Sequence, residues 1–143
     1  MANDGKRLEH KVQEALVKYA KSFPSFMYRF YDTRSAGSFL PAQPGDFFLL
    51  TPKQCFLIEC KSSELGTPLL RMANAKTKTA STQRAKHKLW RRAGHATLYV
   101  YLDLRTERLE WHNGSYVLEK THAPLWVGHI KDIFISLTNV IAS

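Results

Sequence analysis

The sequence predicts a single α/β domain, residues 1–143, in which helices flank a mixed β-sheet. Amphipathic helical patterns occur near both ends of the chain, at residues 4–21 and from about residue 129 onward. Between them, two short β-rich stretches are separated by the turn-forming residues 51–54, which predicts a hairpin. A helix, a glycine and a strand then follow over residues 82–104, an order typical of a crossover connection.

The composition is that of an ordinary globular protein with a large excess of basic residues. Hydrophobic residues make up 44% of the chain and charged residues 23%. The 21 Lys and Arg residues against 12 Asp and Glu leave a formal net charge of +9. Such a charge suits a polyanion, because Lys and Arg replace the counterions on phosphates. No basic helix carries a matching wide apolar face, so nucleic acid is favoured over a membrane surface.

Several classes of protein find no support in the sequence. It shows neither a membrane-spanning apolar run nor an apolar leader segment, which predicts a cytoplasmic location. Cys55 and Cys60 fall on opposite faces of one predicted strand, so a disulfide between them is geometrically poor. The histidines and cysteines lack zinc-ligand spacing, and motifs for nucleotide or serine-hydrolase chemistry are missing.

The first helix is predicted from an apolar stripe at i, i+4, i+7, i+8 and i+11. Its members are Leu8, Val12, Ala15, Leu16 and Tyr19. Asn3 or Asp4 is the expected N-cap. Glu9 lies at the edge of the stripe, where a carboxylate can reach a neighbouring site. Alternatively, Glu9 is a surface residue that is favourable near the positive end of the helix dipole.

The predicted hairpin carries a group of charges. Side chains alternate along a strand, so Glu59 and Lys61 share one face, and Asp46 can lie beside Glu59 on the neighbouring strand. Burying two carboxylates there is costly unless a partner such as Mg²⁺ offsets their charge. The alternative is an exposed sheet face with a structural Lys–Glu pair.

Basic residues outside the hairpin are candidate DNA contacts. Residues 62–81 are predicted as a long basic loop that contacts phosphates or is a mobile surface excursion. The helix predicted at 82–93, anchored by Leu89 and Trp90 and ended by Gly94, has either a nucleic-acid face or a solvated one. Two further arginines, Arg29 and Arg34, lie in the predicted strand and loop before the hairpin. The full set of candidates is Arg29, Arg34, Arg71, Lys76, Lys78, Arg84, His87 and Lys88.

The C-terminal part predicts a strand, a hairpin and a helix. The strand covers residues 95–104, and the hairpin covers 109–118 with Asn113-Gly114 as its turn. A helical stripe from about residue 129 to the end is expected to cover the sheet, or alternatively to form a dimer contact.

Three segments resemble the PD-(D/E)xK nuclease family. Pro44-Gly45-Asp46, followed by Glu59-Cys60-Lys61, resembles the family's motif with one glycine inserted. Gly5-Lys6-Arg7-Leu8-Glu9 resembles the start of the first helix in Holliday-junction resolvases, where a Glu completes the metal site. Ser81-Thr82-Gln83 resembles the family's segment in which a Gln supports the catalytic Lys or a water. The resemblance covers roughly residues 4–104.

This resemblance implies a restriction-endonuclease-like core and a Mg²⁺-dependent DNA endonuclease in which Mn²⁺ substitutes. Asp46 and Glu59 would bind the metal, with the Cys60 carbonyl as a further ligand. Glu9 would complete the site or bind a second ion. Lys61 would position the attacking water or stabilise the transition state.

Among nucleases of this fold, the chain looks most like a Holliday-junction resolvase of archaeal or phage type. That similarity implies branched DNA as partner, a role in DNA recombination and repair, and a homodimer. The alternative within the class is a VRR-type nuclease acting on flaps or branched DNA. Outside the class, the alternatives are a non-catalytic nucleic-acid-binding module on the same fold and an RNA-binding structural protein.

Overall fold

A computed structural model describes residues 4–30, 43–119 and 123–143. Within these ranges the chain forms a mixed sheet with helices on both faces, as the sequence predicts. Its strands, adjacent in chain order, are β1 (Phe26–Arg29), β2 (Phe47–Leu50), β3 (Cys55–Ser63), β4 (Ala96–Asp103), β5 (Arg108–Asn113) and β6 (Trp126–His129). Its helices are α1 (Asp4–Ser22), α2 (Leu69–Ala73), α3 (Lys78–Arg92), α4 (Gly114–Leu118) and α5 (Ile133–Ala142). No helix in the described ranges is long and apolar enough to cross a membrane.

The first and last helices lie side by side over one face of the sheet. The whole predicted stripe of α1, from Leu8 to Tyr19, is buried. From α5, Ile133 and Leu137 enter the same core, which also contains Trp111 of β5. The expectation that the C-terminal helix covers the sheet is therefore confirmed.

The central hairpin and the crossover form as the sequence predicts. β2 pairs antiparallel with β3, and their turn is closed by the Thr51 N–H donating to the Gln54 carbonyl at 2.9 Å. β4 runs parallel to β3 and places Tyr99 opposite Glu59. Helix α3 lies in the crossover from β3 to β4, on the sheet face opposite α1, and ends just before Gly94.

The predicted loop at 62–81 is wrong for most of its length. β3 continues to Ser63, α2 follows, and α3 begins at Lys78 rather than Thr82. Thr77 caps α3, since its hydroxyl accepts a hydrogen bond from the Ala80 N–H at 3.1 Å. The first turn of α3 is polar and has no apolar stripe, so periodicity alone misses it. Leu89 is also not an anchor of this helix, because it is 61% exposed.

The predicted second hairpin at Asn113-Gly114 is also wrong. Asn113 instead caps α4, because its side-chain oxygen accepts from the Ser115 N–H at 3.0 Å. Asparagine is favoured both in hairpin turns and at helix N-caps, so the dipeptide does not decide between them. At Gly114 a side chain would collide with Thr97, which explains the glycine without a turn. The strand that pairs with β5 on this side is β6.

A buried hydrogen bond ties α5 to the sheet and gives a stability prediction. The Trp111 indole N–H donates to the Ser136 hydroxyl at 2.7 Å, and both side chains are fully buried. We expect Ser136→Ala to lower the free energy of unfolding by about 1–3 kcal/mol, because the indole N–H loses its acceptor. Urea denaturation measures this, with the exposed Asn139→Ala on the same helix as control. A Ser136→Ala variant as stable as this control would contradict the assignment.

Candidate active site

Three carboxyl groups meet where β2 begins. Asp46 lies directly before β2, and its N–H donates to the Ile58 carbonyl of β3 at 3.0 Å. The carboxyl groups of Glu59 and Glu9 lie close enough to that of Asp46 to affect its pKa. Glu59 comes from the middle of β3 and Glu9 from α1. The structure therefore brings together the three acidic residues that the sequence singles out, while their metal-binding role stays a prediction.

The segment leading to Asp46 is held by backbone contacts. The Cys60 N–H donates to Asp46 Oδ2 at 2.7 Å. Gly45 lies so close to β3 that a Cβ there would be 3.2 Å from the Ile58 carbonyl oxygen. His87 of α3 donates through Nε2 to the Pro44 carbonyl at 2.8 Å. These contacts fix the Asp46 side chain against Glu59, and the glycine inserted in the motif allows the close approach.

Burial and crowding shift the acid–base properties of the carboxyl pair. Glu59 is 2% exposed. Its burial, together with the neighbouring Asp46 charge, raises the pKa of Glu59 well above its usual value. Burial also raises the pKa of Asp46, while the Cys60 N–H opposes that shift. The two carboxyl groups therefore lie close together in a site where burial disfavours their ionised forms.

Lys61 and Gln83 supply the compensating contacts around the pair. Lys61 lies on the same face of β3 as Glu59. Its positive charge partly opposes the rise in the pKa of both carboxyl groups. Gln83 donates through Nε2 to the two Glu59 oxygens at 3.3 and 3.4 Å. Gln83 thus lies in the second turn of α3 and contacts Glu59. Sequence reasoning places it at the helix start and beside the Lys or a water.

Glu9 is positioned by a partner on β1. Arg29 donates to Glu9 Oε2 at 3.2 Å and to the Gln13 side-chain oxygen at 2.5 Å. The Arg29 side chain is only 27% exposed. Because it faces α1, Arg29 orients the third carboxylate, and this position does not fit the predicted role as an exposed phosphate contact.

The donor set suits a hard divalent cation. Mg²⁺ takes one or two protein carboxylates and completes its octahedron with waters and substrate phosphate oxygens. Asp46 and Glu59 offer such oxygens at adjacent positions of the β2–β3 hairpin. Within the described residues, no three His, Cys, Asp or Glu side chains alone surround an ion position. The Cys60 thiol packs against the apolar core, so only its carbonyl remains a predicted ligand.

The predicted DNA contacts in the α2–α3 region fall into two groups. Arg71, Lys76, Lys78 and Lys88 are exposed on this side of the molecule. Arg84 instead donates to the Ala73 and Ala75 carbonyls at 3.1 and 2.8 Å, which holds the α2–α3 connection together. Arg34 lies outside the described residues.

His87 does not fit the predicted role as a phosphate contact, because its side chain is fully buried. It lies between the Pro44 carbonyl and the Tyr99 hydroxyl, which is 3.5 Å from Nδ1. Sequence reasoning misses this inward role, although a signal exists. His87 is four residues after Gln83, and residues at this spacing share one helix face.

Comparisons with known proteins give a limited result. No protein-family model matches the chain, and the comparison with curated proteins returns no match. Among solved structures, a similar one is Hjc, a Holliday junction resolvase from the hyperthermophilic archaeon Archaeoglobus fulgidus. It is 16% identical, the match covers 71% of this chain and 70% of that chain, and the TM-score is 0.43. Similarity at this level assigns the chain to no family.

The burial of His87 makes stability depend on pH. Burial lowers the pKa of His87 from its usual value of 6.5 to about 4, so the folded state favours the neutral ring. Below pH 6.5 the unfolded chain binds a proton that the folded chain excludes, and stability falls as the pH drops towards 4. We expect a contribution of up to about 1.4 kcal/mol per pH unit in this window.

Urea denaturation between pH 7 and pH 4 measures this dependence. His87→Gln keeps an N–H donor for Pro44 but cannot titrate, so its pH slope should be shallower by this amount. Leu89→Ala, an exposed change on the same helix, is the control and should keep the wild-type slope. Equal slopes for wild type and His87→Gln would contradict the proposed state of this side chain.

Proposed function

We propose that this protein is a Mg²⁺-dependent endonuclease that hydrolyses phosphodiester bonds in branched DNA, in particular in four-way junctions. The observation that carries the proposal is the Asp46–Glu59 pair, with Glu59 buried and Asp46 half-buried, and Lys61 on the same sheet face as Glu59. A buried pair of acids is costly for a structural sheet and useful for a cation site. The sequence resemblance to PD-(D/E)xK nucleases supports the same assignment independently of this geometry.

The side chains would divide the work as follows. A bound Mg²⁺ would polarise the scissile phosphate and lower the pKa of a water. Asp46 and Glu59 would hold it, and Glu9, oriented by Arg29, would complete the site or serve a second ion. Lys61 would stabilise negative charge that develops on the phosphate or orient the attacking water. Gln83 would keep the Glu59 oxygens in place.

The proposal of branched DNA as substrate rests on the charge and its location. The chain carries a net charge of +9, and exposed Lys and Arg side chains lie on the α2–α3 side of the molecule. Resolving a four-way junction requires two symmetric cuts, so this function requires a homodimer. A VRR-type nuclease would instead cut flaps, and the assay below separates the two.

Cleavage of labelled DNA tests the proposal. Wild-type protein should nick a four-way junction symmetrically in Mg²⁺ or Mn²⁺ and not in EDTA. Asp46→Asn and Glu59→Gln should reduce the cleavage rate by at least about 10²-fold, because each loses an ionised metal ligand. Asp103→Asn, which removes a carboxylate at the end of β4 outside the site, should cut normally.

Two results would contradict this account in different ways. Cutting of flaps or linear duplex in place of the junction would support a nuclease but contradict the assignment as a resolvase. Metal-independent cutting, or no cutting with DNA binding intact, would leave a non-catalytic nucleic-acid-binding module.

Lys61 separates catalysis from binding. We expect Lys61→Ala to lower the cleavage rate by about 10²- to 10³-fold, because a charge aimed at the transition state is lost. DNA affinity should change less than about threefold, since one phosphate contact contributes little to binding. Lys131→Ala, an exposed lysine just after β6 at the opposite edge of the sheet, is the control and should affect cleavage little. Parallel losses of binding and cleavage in Lys61→Ala would make Lys61 an ordinary phosphate contact.

A further inference from the structure

A group of four aromatic rings, two exposed and two half-buried, lies on the outer face of β1 and β2. We call this group the aromatic platform, and its members are Phe26, Tyr28, Phe30 and Phe48. The rings of Tyr28 and Phe48 are stacked, with centroids 5.5 Å apart and planes 18° apart. Phe26 and Phe30 lie 6.2 and 5.7 Å from Phe48. Phe26 is 57% exposed and Tyr28 is 48% exposed.

The alternation of β1 explains why these rings face outward. Met27 and Arg29 point to the α1 side, where they contact the core and Glu9. The residues between them therefore take the opposite face. On that face α3 packs over β3 and β4, where Trp90 donates to the Cys55 carbonyl and Arg91 donates to the Thr97 hydroxyl. A contiguous exposed apolar patch of this kind marks a binding surface.

The platform is continuous with the carboxylate pair. Phe48 pairs with Leu57 across the hairpin, so Phe48 lies on the same face as Glu59, two residues further along β3. The Phe30 N–H donates to the Asp46 carbonyl at 2.8 Å, which connects the other edge of the platform to the site. A ligand lying on the platform therefore has one end at the candidate active site.

Charges at the two ends of the platform suit a short polyanion. Lys53, on the β2–β3 turn, follows the Phe26–Leu50 end, and Lys61 lies at the carboxylate end. The five residues from Asp46 to Leu50 span about 13 Å along the strand. That length accommodates about four stacked nucleotides at about 3.4 Å each.

We infer that the aromatic platform stacks the unpaired bases of a branched or single-stranded DNA and leads the adjoining phosphodiester to Asp46 and Glu59. Aromatic side chains stack bases of any sequence, and a cationic neighbourhood holds the backbone. Bases inside an intact duplex are already stacked on each other, so the platform engages unpaired nucleotides, which an opened branch point of a four-way junction or a flap presents. Delivery to the carboxylates rests on the proposed function, whereas the stacking itself does not.

Binding to DNA with and without unpaired bases tests the inference. Fluorescence anisotropy in EDTA compares a flap DNA, the same flap with abasic unpaired positions, and a linear duplex. We expect Tyr28→Ala to weaken flap binding by about tenfold or more, and duplex binding by less than twofold. Tyr28→Phe should bind like wild type, because the ring and not the hydroxyl is required.

A second tyrosine provides a matched control, and combining the protein change with the DNA change completes a double-mutant cycle. Tyr116→Ala removes a tyrosine with the same 48% exposure on α4 and should leave flap binding unchanged. In wild type, the abasic flap should lose affinity by the factor that Tyr28→Ala causes. The two changes combined should then cost no more than either alone, because both remove the same contact.

Three results would overturn the inference. Equal losses for flap and duplex would show that Tyr28 acts only through general affinity. A change of oligomeric state in Tyr28→Ala, measured by sedimentation equilibrium, would assign the platform to a contact with a second copy. Full flap affinity in both Tyr28→Ala and Phe26→Ala would show that neither ring stacks against a base. Phe26→Ala also replaces Tyr28→Ala if the latter does not fold, as circular dichroism would show.

The same assays keep this inference separate from the proposed function. Tyr28-dependent flap binding without any Mg²⁺-dependent cleavage supports the platform and contradicts the nuclease. Mg²⁺-dependent cleavage with no effect of Tyr28→Ala or Phe26→Ala supports the nuclease and contradicts the platform.

Discussion

The close approach of the Asp46 carboxyl to the buried Glu59 carboxyl is the constraint on which the rest of the structure depends. Two adjacent carboxylates in a nearly dry site repel each other and lose their hydration. The protein offsets this with the Cys60 N–H, the Lys61 ammonium and the Gln83 amide. Each of these groups must be held at a fixed position around the carboxyl pair, so the positions of the strands and helices that carry them are constrained.

The fold supplies these directions from separate parts of the chain. The β2–β3 hairpin brings the acids together. From one face, the α3 crossover places Gln83 against Glu59 and His87 against the Pro44 carbonyl. From the other face, α1 contributes Glu9, which Arg29 of β1 holds. The apolar core between α1, α5 and the sheet keeps these elements in place. A buried hydrogen bond from the Trp111 indole N–H to the Ser136 hydroxyl joins β5 to α5.

Local sequence patterns predict much of this arrangement. The apolar stripe of α1, the β2–β3 hairpin and the glycine after α3 are signals within one element, and each is found where the pattern indicates. Asp46, Glu59 and Lys61 converge because strand alternation and a short turn determine their positions. The family resemblance adds Glu9, which joins them from a distant helix.

The missed features depend on contacts that a local pattern does not contain. Asn113 caps a helix instead of forming a turn because α4 packs against the sheet, and Gly114 meets Thr97 there. His87 looks like one more basic residue of α3 until the Pro44 carbonyl, 43 positions away, is seen to accept its hydrogen bond. The exposed rings of β1 and β2 likewise form one surface only once the two strands are paired in register.

The central claim is that Asp46 and Glu59 are held together to bind a divalent cation. Electron paramagnetic resonance of Mn²⁺ added to the metal-free protein, followed by competition with Mg²⁺, tests it most directly. The account predicts bound Mn²⁺ that Mg²⁺ displaces, and at least about tenfold weaker binding in Glu59→Gln, which removes an ionisable ligand. Equal Mn²⁺ binding by wild type and Glu59→Gln, or none by either, would contradict a metal site at this pair.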